Sequence, residues 1–138
     1  ESSHYDFVTS SGVTCIFNDF EPMFEEMIRI AKPGARCINF IPLNEYDVDV
    51  IMGHRDPKTK QYEAGWNRFA ISSIEQFLDG HKSVGEFSLE KQELSFDLPM
   101  NPDDLLRTWT IKGSDGKRIF WNGLNSEVAQ YYITFSIK

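Results

Sequence analysis

The chain has 138 residues, a formal charge of −7, 41% hydrophobic and 14% aromatic residues, enough for one folded domain with its own core. No apolar run approaches the roughly 20 residues of a membrane helix, and the acidic balance lacks the basic footprint of phosphate-backbone binding. Neither a membrane nor a nucleic acid is therefore expected as a partner.

The polar lead-in Glu1–His4 is followed by a strand candidate, Tyr5–Ser10. It runs into Thr9-Ser10-Ser11-Gly12, a small polar loop at a strand's carboxyl end. Open parallel sheets bind ligands at such loops, although the same residues also make a plain turn.

Phe20, Met23, Phe24, Met27, Ile28 and Ala31 repeat at i, i+3, i+4, i+7, the spacing of a one-sided helix. Asp19 is placed to cap it, Pro22 fits its first turn, and Glu25 and Arg29 form an i, i+4 pair. Lys32-Pro33-Gly34 ends the helix and turns the chain. Cys37–Ile41 is then a short apolar run, as expected of a strand covered on both faces. Strand, helix and strand predict a crossover with the two strands parallel. The cysteines are Cys15 and Cys37. With Cys37 in a buried strand and no visible secretory signal, a reducing, cytoplasmic setting is expected, without a disulfide.

After Ile41-Pro42-Leu43 comes a long polar passage, Asn44–Gly65. Asp47–Ile51 reads as an edge strand or a loop. Asp47, Asp49, His54 and Asp56 invite a metal, but their spacing matches no ligand pattern, so none is expected. A solvated loop or a lid over a site fits better. Trp66–Ile71 is amphipathic. Ser72–Gly80 is a second short helix with a serine cap and Ile74, Phe77 and Leu78 on one face.

From Val84 the period changes to two: Phe87, Leu89, then Leu94, Phe96 and Leu98 alternate with polar residues. Thr108–Lys112 and Lys117–Trp121, joined by Gly113-Ser114-Asp115-Gly116, read as a hairpin. Tyr131–Ile137 is a last strand. The expected whole is a single α/β domain over residues 1–138, parallel strands and helices first, antiparallel strands at the edge.

Tyr5-Asp6-Phe7-Val8-Thr9-Ser10-Ser11-Gly12-Val13, followed by Arg29-Ile30-Ala31-Lys32-Pro33-Gly34, resembles the middle of class I S-adenosylmethionine-dependent methyltransferases. Phe96–Pro99, Thr108–Lys112, Asp115–Ile119 and Tyr132–Lys138 resemble the same family's C-terminal strands. The resemblance implies the carboxyl half of a Rossmann-like methyltransferase sheet, beginning near its fourth strand. The glycine-rich cofactor loop has no counterpart in this sequence. Cys15 and Ile16 stand where many relatives carry Glu-His.

By that resemblance, S-adenosylmethionine is the cofactor and Thr9, Ser10, Ser11 and Gly12 border its methionine end. Pro42, Leu43, Asn44, Tyr46 and Trp66 face a small-molecule acceptor, and His54 is a candidate base suited to neutral pH. A missing N-terminal half, or a homodimer pairing through the exposed Tyr5–Ser10 edge, would complete the sheet. The competing expectation is a non-catalytic, β-rich binding module, such as a carbohydrate-binding domain, built on the aromatic hairpin.

Overall fold

The computed structural model describes residues 3–124, 126–127 and 129–138, with Ser126 and Glu127 described by backbone alone. Glu1 and Ser2 of the polar lead-in lie outside the described residues. In chain order the elements are β1 (Tyr5–Ser11), a 3-10 turn at Thr14–Ile16, α1 (Glu21–Ile30) and β2 (Ala31–Asn44). A short pair follows, β3 (Gly53–Arg55) and β4 (Tyr62–Ala64), then β5 (Phe69–Ala70), α2 (Ile71–Gly80) and β6 (Val84–Lys91). The chain closes with β7 (Trp109–Lys112), β8 (Arg118–Asn122), β9 (Ser126–Glu127) and β10 (Ala129–Ile137).

The main sheet runs β1-β2-β10-β6, with β5 pairing beside β1 on β2. β1 and β2 are parallel, with Val8 opposite Cys37 and Ser11 opposite Phe40. The crossover pattern through α1 thus gave the pairing its direction. β10 is antiparallel to both β2 and β6. The antiparallel strand is therefore inside the sheet and not at its edge, a correction to the expected order. Alternation along Tyr131–Ile137 identified a strand, but neighbours and order depend on which faces fit together.

α1 ends at Ile30, one turn short of the proline. Its side-chain cap is absent: Phe20 takes the N-cap position, and Asp19 accepts a hydrogen bond from the Glu21 N–H at 3.0 Å. Arg29 pairs with Glu26 rather than Glu25, through two contacts of 2.6 Å. Glu25 instead meets His81 beyond α2 at 3.3 Å. Lys32-Pro33-Gly34 forms a kink within β2, where Gly34 has φ +81° and the pairing jumps from Tyr5–Ala31 to Phe7–Arg36. A positive φ suits glycine, which has no Cβ to clash.

Both helices pack on one face of the sheet. Phe24, Met27 and Ile28 of α1 and Ile74 and Leu78 of α2 share one core cluster with Cys37, Ile41 and Leu43 of β2. Phe20, Phe24, Phe69 and Phe77 meet edge to face at 5.0–5.9 Å between centroids, the arrangement that ring quadrupoles favour. The alternate residues Ile38 and Phe40 are only half-buried, and Tyr132, opposite Phe40, is 42% exposed. The expectation that Cys37–Ile41 is covered on both faces is corrected: helices cover one face and the other is partly open.

The hairpin β7–β8 forms as read, with Trp109 opposite Trp121, but it belongs to a separate three-stranded sheet with β9. Leu94, Phe96 and Leu98 form no strand; Leu98 is held to Thr110 by backbone and side-chain hydrogen bonds. No described helix is long and apolar enough to cross a membrane.

Candidate functional site

The parallel strands β1 and β2 end side by side, and a cavity of about 350 Å³ opens there on the partly open face. Ser11 and Gly12 contribute from the end of β1, Phe40 and Pro42 from β2, and Gln130 from β10. His54 and Glu63 reach it from the β3–β4 pair, and Ile16 and Trp66 close its sides. Larger depressions exist: an acidic and basic one beside Lys91 and Arg118, and an apolar groove between Val13, Phe17 and Met23. The cavity differs from them in uniting residues from the ends of both parallel strands, where the sheet's topology opens a crevice.

Gly12 turns the chain out of β1 with φ +68°, while its N–H donates to the Phe40 carbonyl at 2.8 Å. The next residues curl back through the 3-10 turn. Thr14 and Asn39 are fully buried there, and the Asn39 amide donates to Thr14 Oγ1 at 2.8 Å. Ser10 and Asn39 are opposite each other in the β1–β2 register. Ser10 Oγ and Asn39 Oδ1 are buried without hydrogen-bond partners among the described residues.

His54 and Glu63 are directly opposed across β3–β4, with Nε2 and Oε2 3.6 Å apart. The imidazole is mostly buried, whereas the carboxylate is largely exposed. Nδ1 is shielded from solvent and has no hydrogen-bond partner among the described residues. A neutral imidazole with N–H toward Glu63 would leave Nδ1 as an acceptor.

Trp66 has φ +60°. Left-handed backbone costs a β-carbon residue on the order of 1 kcal/mol, so such a residue persists only when its surroundings fix it. Asn67, fully buried, does this: its N–H donates to the Cys15 carbonyl at 2.8 Å. Its amide donates to the Phe17 carbonyl at 2.6 Å and accepts the Met52 N–H at 2.7 Å. On the other side, the Gly65 N–H donates to the Met52 carbonyl at 3.3 Å. Asn67 thus ties the segment after β1 to the passage after β2. Sequence reasoning missed it; Gly-Trp-Asn between two structured segments was the available signal.

Cys15 is buried beside the cavity, with Sγ 3.4 Å from the Gly12 carbonyl. Burial pushes its thiol up, and Cys37, fully buried in β2, is pushed up to about 11. Both are free thiols, and raised values disfavour the thiolate that nucleophilic chemistry needs.

The structure gathers Ser11, Gly12, Pro42, His54 and Trp66 around one space. Thr9 is exposed and does not line it, and Ser10 turns into the protein. Leu43 is in the core, 1% exposed, because its strand parity is that of Ile41. Asn44 shapes the following loop, accepting the Tyr46 N–H and donating to the Val48 carbonyl. Tyr46 projects into solvent at 79% exposure. These five therefore sit outside the cavity.

The acidic residues of the long passage also have defined places. Asp49 Oδ1 accepts the Ala70 N–H at 2.6 Å and the Ser73 hydroxyl at 2.9 Å, and Asp47 accepts the Ser72 hydroxyl. They anchor the N-terminus of α2, whose N-cap is Ala70 and not the expected serine. Negative charge is favourable there. Asp56 accepts the N–H groups of Lys58 and Thr59, shaping the turn between β3 and β4. Among the described residues no cluster of three or more metal-ligating side chains occurs.

The sequence matches no family model and no curated protein. Among solved structures it is similar to the crystal structure of a SAM-dependent methyltransferase from Methanosarcina mazei, with a TM-score of 0.56 and 13% identity. The match covers 98% of this chain and 60% of that protein. At that identity the likeness shows a shared mixed α/β fold; this chain spans well under two thirds of the other's length.

Proposed function

We propose that this chain forms the acceptor-side, carboxyl-terminal part of an S-adenosylmethionine-dependent methyltransferase acting on a small molecule. The observation that carries the reading is the cavity at the carboxyl ends of β1 and β2, in a fold similar to that of a known methyltransferase. Helices α1 and α2 remove the all-β form of the binding-module alternative.

The residues present fit the cofactor as one wall. Ser11 and Gly12 border the cavity, and Gly12 has open space where a Cβ would stand. At about 350 Å³ the cavity is at the small end for ligand sites, so it suits one end of the cofactor or an acceptor. S-adenosylmethionine supplies a methyl group already activated on a sulfonium sulfur. The chain's own task is then placement and proton handling. Pro42 and Trp66 orient the acceptor, and His54 accepts its proton with Glu63 to steady the resulting imidazolium.

The remaining cofactor contacts come from a further segment, an N-terminal half, seated against the free edge of β1. Tyr5 and Phe7 on that edge strand are 50% and 55% exposed, and the second face of the sheet is partly open.

The test is a titration of this chain with S-adenosylmethionine followed by proton–nitrogen correlation spectra. Weak, saturable shifts at the Ser10, Ser11, Gly12 and Trp66 amides are expected. Shifts confined to other parts of the chain, or none at about 10 mM cofactor, far beyond the affinity of a useful site, overturn the reading.

A further inference from the structure

We infer that the cavity binds a planar aromatic compound carrying a hydroxyl group, and that Trp66 and His54 are the residues that select it. Its role as methyl acceptor rests on the function proposed above; the binding itself does not.

Three observations converge. The apolar walls are rigid ring systems. Pro42 is a ring in the backbone of β2, and Phe40 is locked against Tyr132 with centroids 4.6 Å apart and planes 32° from parallel. Trp66 is fixed in left-handed backbone by the Asn67 hydrogen bonds. A core-packing tryptophan has no need of that conformation, and such outliers concentrate at ligand sites. Flat, stiff walls complement a ring and stack on it, whereas flexible chains lose entropy without gaining face-to-face contact.

The polar end of the site is as restricted as its walls. His54 has one nitrogen toward Glu63 at 3.6 Å and the other shielded and without a partner among the described residues. Nδ1 has no surface open to the cavity, so the nitrogen a ligand hydroxyl meets is Nε2, for which Glu63 at 3.6 Å is beyond hydrogen-bond distance; a hydroxyl placed there gains more in this half-buried site than in water. The Glu63 carboxylate on the cavity rim and the charge of −7 repel carboxylates and phosphates, which leaves a neutral hydroxyl as the matching group.

The probes are 2-naphthol, its saturated analogue 2-decalol and its methyl ether 2-methoxynaphthalene, each titrated into the chain alone. The indole N–H signal of Trp66 is the readout, assigned through Trp66→Phe. Saturable binding of 2-naphthol in the sub-millimolar range is expected, about tenfold weaker for 2-decalol. Read by isothermal titration calorimetry, since both variants lack the indole signal, Trp66→Ala is expected to lose about tenfold, and Trp66→Phe to stay within about threefold. His54→Gln should weaken 2-naphthol severalfold and leave 2-methoxynaphthalene unchanged, a difference that general loosening of the fold does not produce.

Equal affinity for 2-naphthol and 2-decalol, or no saturable shift at about 1 mM, overturns the inference. If Trp66→Ala fails to fold, the His54→Gln comparison decides. S-adenosylmethionine titrated into the same sample separates the two ideas. Cofactor binding without naphthol binding removes this inference and leaves the methyltransferase reading. Naphthol binding without cofactor binding upholds the pocket and removes its role in methyl transfer.

Discussion

Tyr131 and Glu45 show how single side chains set the pH response. Lys91 and then Tyr131 donate to Glu45 Oε1 at 2.8 and 2.6 Å and hold this carboxylate below its ordinary range. Burial, then the neighbouring carboxylate, pushes the Tyr131 phenol above its ordinary range. The depressed Glu45 contributes stability above about pH 4.3 that is lost as pH falls through its folded value. The raised Tyr131 contributes stability below about pH 10 that is lost as pH rises through its folded value. Tyr131→Phe removes the second contribution. Its thermal midpoint is expected to fall less steeply above about pH 10 than the wild type's; parallel curves in circular dichroism melts would refute the assignment. The cysteines give a simpler check. Both are buried with raised thiols, so alkylation by iodoacetamide is expected to be slow in the native chain and fast in denaturant. Rapid native labelling of Cys37 would contradict its place in β2. Asn67 makes four hydrogen bonds that join distant segments, one through its backbone N–H and three through its side chain, which meets the Phe17 carbonyl, the Met52 N–H and Asn18. Asn67→Ala is expected to cost about 2–3 kcal/mol by leaving buried backbone groups unpaired, measured by urea unfolding.

Elements depend on what they bury. Phe24 is fully buried, touching Phe20 and Phe77 edge to face and stacking on Phe135 of β10. It joins both helices to the sheet, and Phe24→Ala is expected to cost about 3–5 kcal/mol. Chemical denaturation reads that cost, and a loss below about 1 kcal/mol would mean that the helices pack elsewhere. The α1 periodicity and the β1–α1–β2 order were legible because the apolar spacing is unbroken. The ends of α1 and α2 were not. The start of α2 depended on Asp49, distant in sequence from Ala70, and α1 starts after Phe20, its N-cap, with no side-chain cap. The Leu94–Leu98 alternation misled for a related reason. Period two marks a candidate strand, but Leu98 meets only Thr110 through isolated hydrogen bonds, and no ladder forms along the segment.

At the scale of the molecule, β1 ends the main sheet among the described residues, and the sheet's second face is partly open. Under the proposed function a further segment pairs along β1, so Phe7→Lys should abolish co-purification with a co-expressed N-terminal half while leaving the thermal midpoint of this chain nearly unchanged. A strictly dimeric mass for this chain in light scattering, lost in Phe7→Lys, would instead assign that edge to a second copy. The sequence alone determined the crossover, the two helices, the hairpin and the loops at the carboxyl ends of β1 and β2. Those features arise from local periodicity and turn chemistry, which act over a few residues. Only the tertiary structure decided that β10 inserts between β2 and β6, and that Pro42, Ser11 and His54 meet while Leu43, Asn44 and Tyr46 do not. Strand parity sends neighbours to opposite faces, and the partners that sort them, Asn67 to Phe17 and Asn39 to Thr14, are set by packing between segments far apart in the chain.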